Sequence, residues 1–235
     1  MTSFLLRLLA FLAMTADNAG LALFPHAELF RAAGRIAFPL YCFLLSEGFV
    51  HTHSRKRYAC RLLLLSLVCE IPFDLLHFGS PLAPMMQNAG WSLLLSLGML
   101  ALCGRTQKPH QHFLILAGAC LLAMAANLSF GWLGPALCFA FYSTRGQQNR
   151  QAAAAFLLPL AYAFLLMLSG VSGSWTRLSL TAPAAALPII FYNGRPGPKG
   201  KHWTFLFYAA VPAMLILLLL LRQSRVVPPW ILQKY

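Results

Sequence analysis

Long apolar runs, broken by short clusters of charge or of glycine and proline, recur along the whole of this 235-residue chain. The pattern predicts nine apolar segments, roughly 3–24, 33–51, 58–78, 90–104, 112–128, 130–143, 152–170, 175–192 and 203–221. Runs such as LLLLSLV and LILLLLL are continuous, so they predict helices and not the alternating strands of a membrane barrel. Several segments are shorter than the ~20 residues that a straight span needs. The pair 112–128 and 130–143 reads either as a re-entrant hairpin or as one long broken span. The first segment is interrupted by Arg7 and precedes no clean small-residue cleavage site, so it reads as a helix and not as a removable signal. No repeat, low-complexity tract or soluble domain interrupts the pattern, which predicts one integral-membrane domain over 1–235.

Composition strengthens this picture. The chain is 59% hydrophobic and 10% charged, where a soluble domain carries about 25% charged residues. One soluble core cannot hide that much apolar surface, so the solvent is lipid. The fold class is all-α, a polytopic transmembrane bundle. The net charge of +13 does not indicate nucleic acid, because the cations sit in clusters between apolar runs, as in cytoplasmic loops. With the N-terminus inside, alternate loops carry Arg55, Lys56, Arg57, Arg61, Arg105, Lys108, Arg145, Arg150, Arg195, Lys199 and Lys201. The opposite loops carry Arg31, Arg35 and Arg177. That asymmetry predicts a cytoplasmic N-terminus. An odd number of spans then leaves the tail, with Arg222, Arg225 and Lys234, on the outer side. The six cysteines form no CxxC pair and fall mostly inside apolar runs. They read as small core residues, with no disulfide framework and no metal site.

Five acidic residues, Asp17, Glu28, Glu47, Glu70 and Asp74, all precede position 75. Charges inside membrane helices are costly and usually functional. Asp17 falls near the outer end of the first segment, and Arg35 opens the second from the same side. Glu47 lies roughly 18 Å deeper, toward the inner face, at 1.5 Å rise per residue. The third segment returns outward, so Glu70 and Asp74 lie in its outer half, with Pro72 between them expected to bend the helix. Asp17, Arg35, Glu70 and Asp74 are thus expected to converge near one depth.

The series MTADNAG at 14–20, GRIAFPLYCFLLSEGF at 34–49, RLLLLSLVCEIPFD at 61–74 and FYNG at 191–194 resembles the TraX family. These are small polytopic membrane proteins named for a conjugative pilin N-acetyltransferase. The likeness is strongest over 11–74 and continues in order to about 221. It implies a bacterial inner-membrane acyltransferase that takes acetyl from acetyl-CoA, with a cytoplasmic donor, a buried polar site and an acceptor from the other side. The acceptor that the resemblance implies is an amine, such as the N-terminus of a pilin-like or other exported protein, or a hydroxyl. The sequence departs from the family pattern at specific places. The family commonly has Asp-His where this chain has Asp17-Asn18. It has histidine where Val211 follows Phe207-Tyr208, and Asp-Tyr where Asn127-Leu128 stands.

Acyl transfer needs a base and donors for the oxyanion. On this reading Asp17 or Asp74 is the base and Arg35 fixes geometry. The bland alternative is that these three form ion pairs that lock helices together. Asn18 can donate to a carbonyl or oxyanion but cannot relay a proton. Glu70, Glu47 and Asn88 are candidates for substrate contact, although Glu47 beside His51 also suits an ion pair with Arg55 or Arg57. Arg55, Lys56 and Arg57 stand where the phosphates of coenzyme A would arrive, or serve as a topology signal. His26 and His77 fall near the outer surface, where each reads as a solvated histidine or as a substitute base. His51 and His53 have no evident third metal ligand. Two further functions stay open. One is a small-solute transporter, which buried charges at mid-depth also suit. The other is a catalytically degenerate family member that serves as a membrane assembly or scaffold protein.

Overall fold

Thr2 starts the first helix by accepting the Leu5 N–H on its side-chain oxygen. The computed structural model describes residues 1–24, 26–170, 173–198 and 200–224. Lys199, Arg225 and Lys234, counted above among the loop and tail charges, lie outside the described residues. The helices are α1 (Ser3–Ala22), α2 (Glu28–Gly34), α3 (Ala37–His51), α4 (Arg55–Phe78), α5 (Ala89–Cys103), α6 (Pro109–Ala125) and α7 (Leu133–Ser143). They are followed by α8 (Gln148–Leu168), α9 (Ser174–Ser179), a 3-10 turn (Ala182–Ala185), α10 (Ala186–Ile190) and α11 (Lys201–Gln223). Among the described residues the only β pairing is an isolated bridge between Gln87 and Leu128. The protein is an all-α membrane bundle.

Local chemistry accounts for several boundaries. Ser54 and Asn88 cap α4 and α5 by accepting the backbone N–H groups of Arg57 and Gly90. Such caps satisfy donors that the first helical turn leaves unpaired. Gly79 ends α4 in the left-handed region at φ 71°, where a Cβ would be strained. Pro72, Pro159 and Pro212 lie inside helices without ending them. Two boundaries differ from the pattern of the sequence. The second segment begins earlier, as α2, and is interrupted before α3. The segment over 175–192 is not one helix but three short pieces. Pro183 lacks the N–H that would continue an α-helix there, and the chain tightens into a 3-10 turn. The pair 112–128 and 130–143 resolves into two helices, α6 and α7, joined by a turn in which Asn127 and Phe130 take positive φ.

The passages alternate between two ends. At the first end, the Met1 ammonium donates to the Phe191 carbonyl, the Ser3 N–H to that of Arg195, and Gln148 to that of Ile190. At the second end, Gln87 and Leu128 pair, Thr181 donates to Ala32 O and Arg222 to Leu76 O. Among the described residues, four stretches, Ser3–Ala22, Glu28–His51, Gln148–Leu168 and Phe205–Gln223, are long and apolar enough to cross a membrane. Helix α4 has the length but carries six charged residues. The outer surface presents Leu64, Leu121, Phe164, Leu168 and Phe205, all more than half exposed, as expected of a face solvated by lipid tails.

Buried apolar side chains form two clusters. The larger joins α1, α3, α5, α7, α8 and α10 through residues such as Leu6, Phe43, Leu100, Leu137, Ala155 and Ile189. The smaller joins α1, α4 and α11 through Ala22, Cys69, Leu76 and Leu215. A cavity opens between them.

Candidate functional site

Position 34 decides where the polar centre forms. A Cβ on Gly34 would stand 2.8 Å from the Asp17 Cα, so only glycine allows α1 and α2 to cross this closely. The crossing sets Arg35 Nη2 3.5 Å and Arg31 Nε 3.8 Å from the same oxygen, Asp17 Oδ1. The Arg35 side chain is 2% exposed. Two guanidinium groups therefore share one carboxylate in a region of low dielectric.

The cavity beside this cluster has a volume of about 480 Å³. It reaches both ends of the bundle. Near the second end its lining includes Asp17, Asn18, Arg31, Arg35, His77 and Asn88. Near the first end it includes Arg7, His51, Thr52, Tyr58, Arg61 and Tyr208. Between them the walls are mostly apolar, with Leu44, Leu45, Leu65, Cys69, Val211 and Leu215. The charged lining comprises four arginines and one carboxylate, leaving a positive interior. Arg61 Cζ lies 5.9 Å from the ring centres of both Tyr58 and Tyr208, which holds its charge at the mouth.

His77 was expected to read as a solvated residue or a substitute base, and the structure places it on the cavity wall. Its Nδ1 is 3.1 Å from the Phe73 carbonyl. A carbonyl oxygen only accepts, so Nδ1 carries the hydrogen and Nε2 keeps its lone pair. The imidazole stacks on Phe73 with ring centres 4.0 Å apart. A signal for this was present in the sequence. Tyr58, Arg61, Leu62, Leu65, Cys69, Phe73 and His77 recur at helical spacing on α4, and all line the cavity. Arg7, Arg31, Arg61, Tyr58 and Tyr208 also line the cavity and are not among the site residues expected from the sequence.

The same periodicity carries Glu70 and Asp74 off that stripe, one position beyond Cys69 and Phe73, and neither lines the cavity. Asp74 does not join Asp17 and Arg35 in an ion-paired trio. It is 1% exposed and accepts the Ala83 N–H on Oδ2 at 2.8 Å. Glu70 Oε2 accepts from Trp91 Nε1 at 2.7 Å and from Asn88 Nδ2. Asn88 also donates to the Ser66 carbonyl at 2.8 Å and caps α5 with Oδ1. It lines the cavity with its hydrogen bonds already committed. Asn18 gives one N–H to the Met14 carbonyl at 2.9 Å and keeps the other.

Glu47 sits at the first end, between Arg145 Nε at 3.4 Å and His51 Nε2 at 3.7 Å. The Tyr192 hydroxyl donates to Oε2, the oxygen nearer His51, at 3.4 Å, and Ser3 Oγ stands 2.9 Å from that hydroxyl. Burial raises the Tyr192 phenol above its ordinary pKa, so it stays a donor to the carboxylate. Arg55, Lys56 and Arg57 are exposed and lie outside the cavity lining. Arg55 Cζ packs 4.4 Å over the Phe49 ring.

Comparisons with known proteins agree with the series of residues quoted above. The model of the TraX protein family matches residues 3–222. A relative from Dichelobacter nodosus, "Probable fimbrial assembly protein FimC, serogroup H1", is 27% identical over 234 residues, covering 91% of this chain and 94% of the relative. An uncharacterized protein, RP591, of Rickettsia prowazekii (strain Madrid E) is 47% identical over 45 residues, 19% of this chain and 18% of its own. No solved structure matches the chain at a significant level.

Proposed function

Because this chain belongs to the TraX protein family, we propose that it is a membrane-embedded acetyltransferase that moves an acetyl group from acetyl-CoA to an amine. One observation carries the reading: a single cavity, positive and polar at its ends and apolar between, reaches both ends of the bundle. A donor and an acceptor from opposite sides of a membrane require such a passage. The first end holds the basic helix starts and loops and faces the cytoplasm of a bacterial inner membrane, by the excess of Lys and Arg there. There the donor's phosphates meet Arg7 and Arg61, which line the mouth, with Arg55, Lys56 and Arg57 raising the local field. The acyl arm lies along the apolar middle.

At the second end the acceptor's amine attacks the thioester carbonyl. The new C–N bond forms, the C–S bond breaks, and the thiolate of coenzyme A leaves and takes up a proton. The positive interior favours the neutral over the ammonium form of an incoming amine, and only the neutral form is nucleophilic. The proton that the amine sheds on attack passes to His77 Nε2, whose lone pair is fixed by the Nδ1 hydrogen bond. Arg35, held by Asp17, and the remaining Asn18 N–H offer charge and a donor to the oxyanion. Both positions at which the family commonly carries histidine, here Asn18 and Val211, line the same cavity. His77 stands on that wall too, which supports its taking over the proton. The relative's name suggests a fimbrial or pilin-like acceptor.

A second reading is an assembly protein without catalysis. It is favoured by those two missing histidines and by the relative's description as a fimbrial assembly protein. Labelled acetyl-CoA, supplied to the protein in nanodiscs, separates the two. The transferase reading expects label on an α-amine or released as acetate, with a loss of at least about 100-fold in His77→Gln, the scale of general acid–base contributions. Absence of turnover together with solute flux in vesicles would instead support a transporter.

A further inference from the structure

We infer that the hydroxyls of Tyr41 and Tyr58 hold the amide groups of the donor's arm in the middle of the cavity, a role that rests on the transferase reading. Arg35, Phe38, Tyr41, Leu45 and Gly48 recur at helical spacing along α3, and all line the cavity. Tyr41 follows Arg35 by six residues and precedes Gly48 by seven, so it stands midway along the passage. From Arg35 to Gly48 the chain rises roughly 20 Å at 1.5 Å per residue. Tyr58 approaches the same stretch from α4. A Cβ on Gly48 would stand 3.1 Å from the Tyr58 hydroxyl oxygen, so glycine leaves that hydroxyl its room.

The walls around the pair, Leu44, Leu62, Leu65 and Leu215, have no group to hydrogen-bond. Other hydroxyl-bearing residues of the lining are engaged. Ser129 donates to the Gln87 carbonyl, and Arg61 lies over the Tyr208 ring. Among the described residues, neither the Tyr41 nor the Tyr58 hydroxyl makes a hydrogen bond. A hydroxyl left unpaired in apolar surroundings is costly, and a ligand that pairs it recovers that cost.

The arm of coenzyme A is such a ligand. It joins the phosphates to the thiol through two secondary amides, and extended it spans the distance from the Arg61 mouth to Arg35. Its amides would lose water in an apolar passage and gain nothing in return. Each has a carbonyl that accepts and an N–H that donates, and a hydroxyl can do both. The pair thereby sets how far the thioester advances toward Arg35 and His77. Tyr41 and Tyr58 are positioning residues, since neither meets the reacting carbonyl. They favour thioesters that carry the amides over simple ones that do not. A peptide backbone offers the same amide, but the pair stands on the donor's path, between the mouth that takes the phosphates and the end where the thioester reacts.

The test is the melting temperature of the full chain in nanodiscs with pantetheine, the arm without nucleotide or acetyl group, and separately with trialanine. A ligand that binds only the folded state raises melting according to its affinity. Pantetheine is expected to raise it in wild type and to bind about five- to tenfold more weakly in Tyr41→Phe and Tyr58→Phe, the scale of one neutral hydrogen bond. Without ligand, Tyr41→Phe is expected to melt no lower than wild type, because its hydroxyl has no partner to lose. A lower melting point would mark the hydroxyl as structural and overturn the role. Transfer to a peptide amine is then measured with S-acetylpantetheine and with ethyl thioacetate, which has no amide. The ratio of their kcat/KM values is expected to fall about five- to tenfold in Tyr41→Phe.

Equal pantetheine responses in wild type and both variants, or a response to trialanine alone, overturn the arm site. Turnover of acetyl-CoA with no pantetheine response removes the arm site and leaves the transferase. A pantetheine response that both variants weaken, without turnover, keeps the arm site and removes the transferase.

Discussion

At the scale of single residues, the polar atoms in this bundle divide into those that hold helices together and those that face the cavity. Asn88 is of the first kind. It spends its amide on the Ser66 carbonyl and Glu70, and its oxygen on the Gly90 N–H. Asn88→Ala is expected to cost about 1–3 kcal/mol, because Glu70 keeps its burial and loses a donor. Glu70→Gln is expected to cost well under that, since an amide oxygen still accepts from Asn88 and Trp91. Thermal unfolding of the two variants in nanodiscs checks the contrast, and equal losses would show that Asn88 anchors nothing through Glu70. His77 and Asp17 are of the second kind. The Asp17–Arg35 pair was open to a sequence reader as buried charge in facing helices. Asp74 could not be separated from it, because depth along a helix is legible and the direction of a side chain around it is less so. One residue of offset, between Phe73 and Asp74, rotates a side chain by about 100° at 3.6 residues per turn and moves it out of the cavity.

At the scale of elements, long apolar runs announced themselves. The observed bounds of α1, α4, α5, α6, α8 and α11 follow the hydrophobic pattern closely. What the pattern hid were elements whose identity depends on partners elsewhere. Helix α2 is short, and its last residue, Gly34, matters only because Asp17 of α1 lies against it. Gly34→Ala is expected to force the two helices apart at a cost of about 1–3 kcal/mol, the usual penalty for overpacking. It should also weaken whatever depends on the Arg35–Asp17 approach. A Gly34→Ala protein that melts like wild type would contradict that packing. The tie between the chain start and the 191–196 segment is likewise invisible to local pattern. Ser3, Tyr192 and Glu47 form a hydrogen-bonded series across it. Tyr192→Phe should lower stability by about 1 kcal/mol, the worth of a typical hydrogen bond, and should loosen the first end. Hydrogen exchange of the 191–196 amides reads both effects, and unchanged protection would count against the tie.

At the scale of the whole molecule, two apolar clusters leave a positive passage between them instead of merging. The sequence held the ingredients, namely an excess of arginine over carboxylate and helical stripes on α1, α3, α4 and α11. It did not say that the stripes face one another, since that depends on how helices remote in sequence pack. The basic turn Arg55-Lys56-Arg57 illustrates the gap. It is the most conspicuous charge cluster in the chain, yet Arg7 and Arg61 are the cations that line the first mouth. On the transferase proposal, Arg61→Gln is expected to raise the KM for acetyl-CoA about tenfold, the scale of one lost charged hydrogen bond, while Lys56→Gln leaves it near the wild-type value. The measurement that bears most directly on the passage is acetyl transfer across a sealed membrane. Proteoliposomes of defined orientation receive labelled acetyl-CoA only on the side of the first end. A synthetic peptide with a free α-amine is placed only on the other. The account predicts acetylated peptide on the far side, with His77→Gln and Asp17→Asn both strongly reduced. Acetylated peptide only when donor and acceptor share a side, or none under either arrangement, would contradict it.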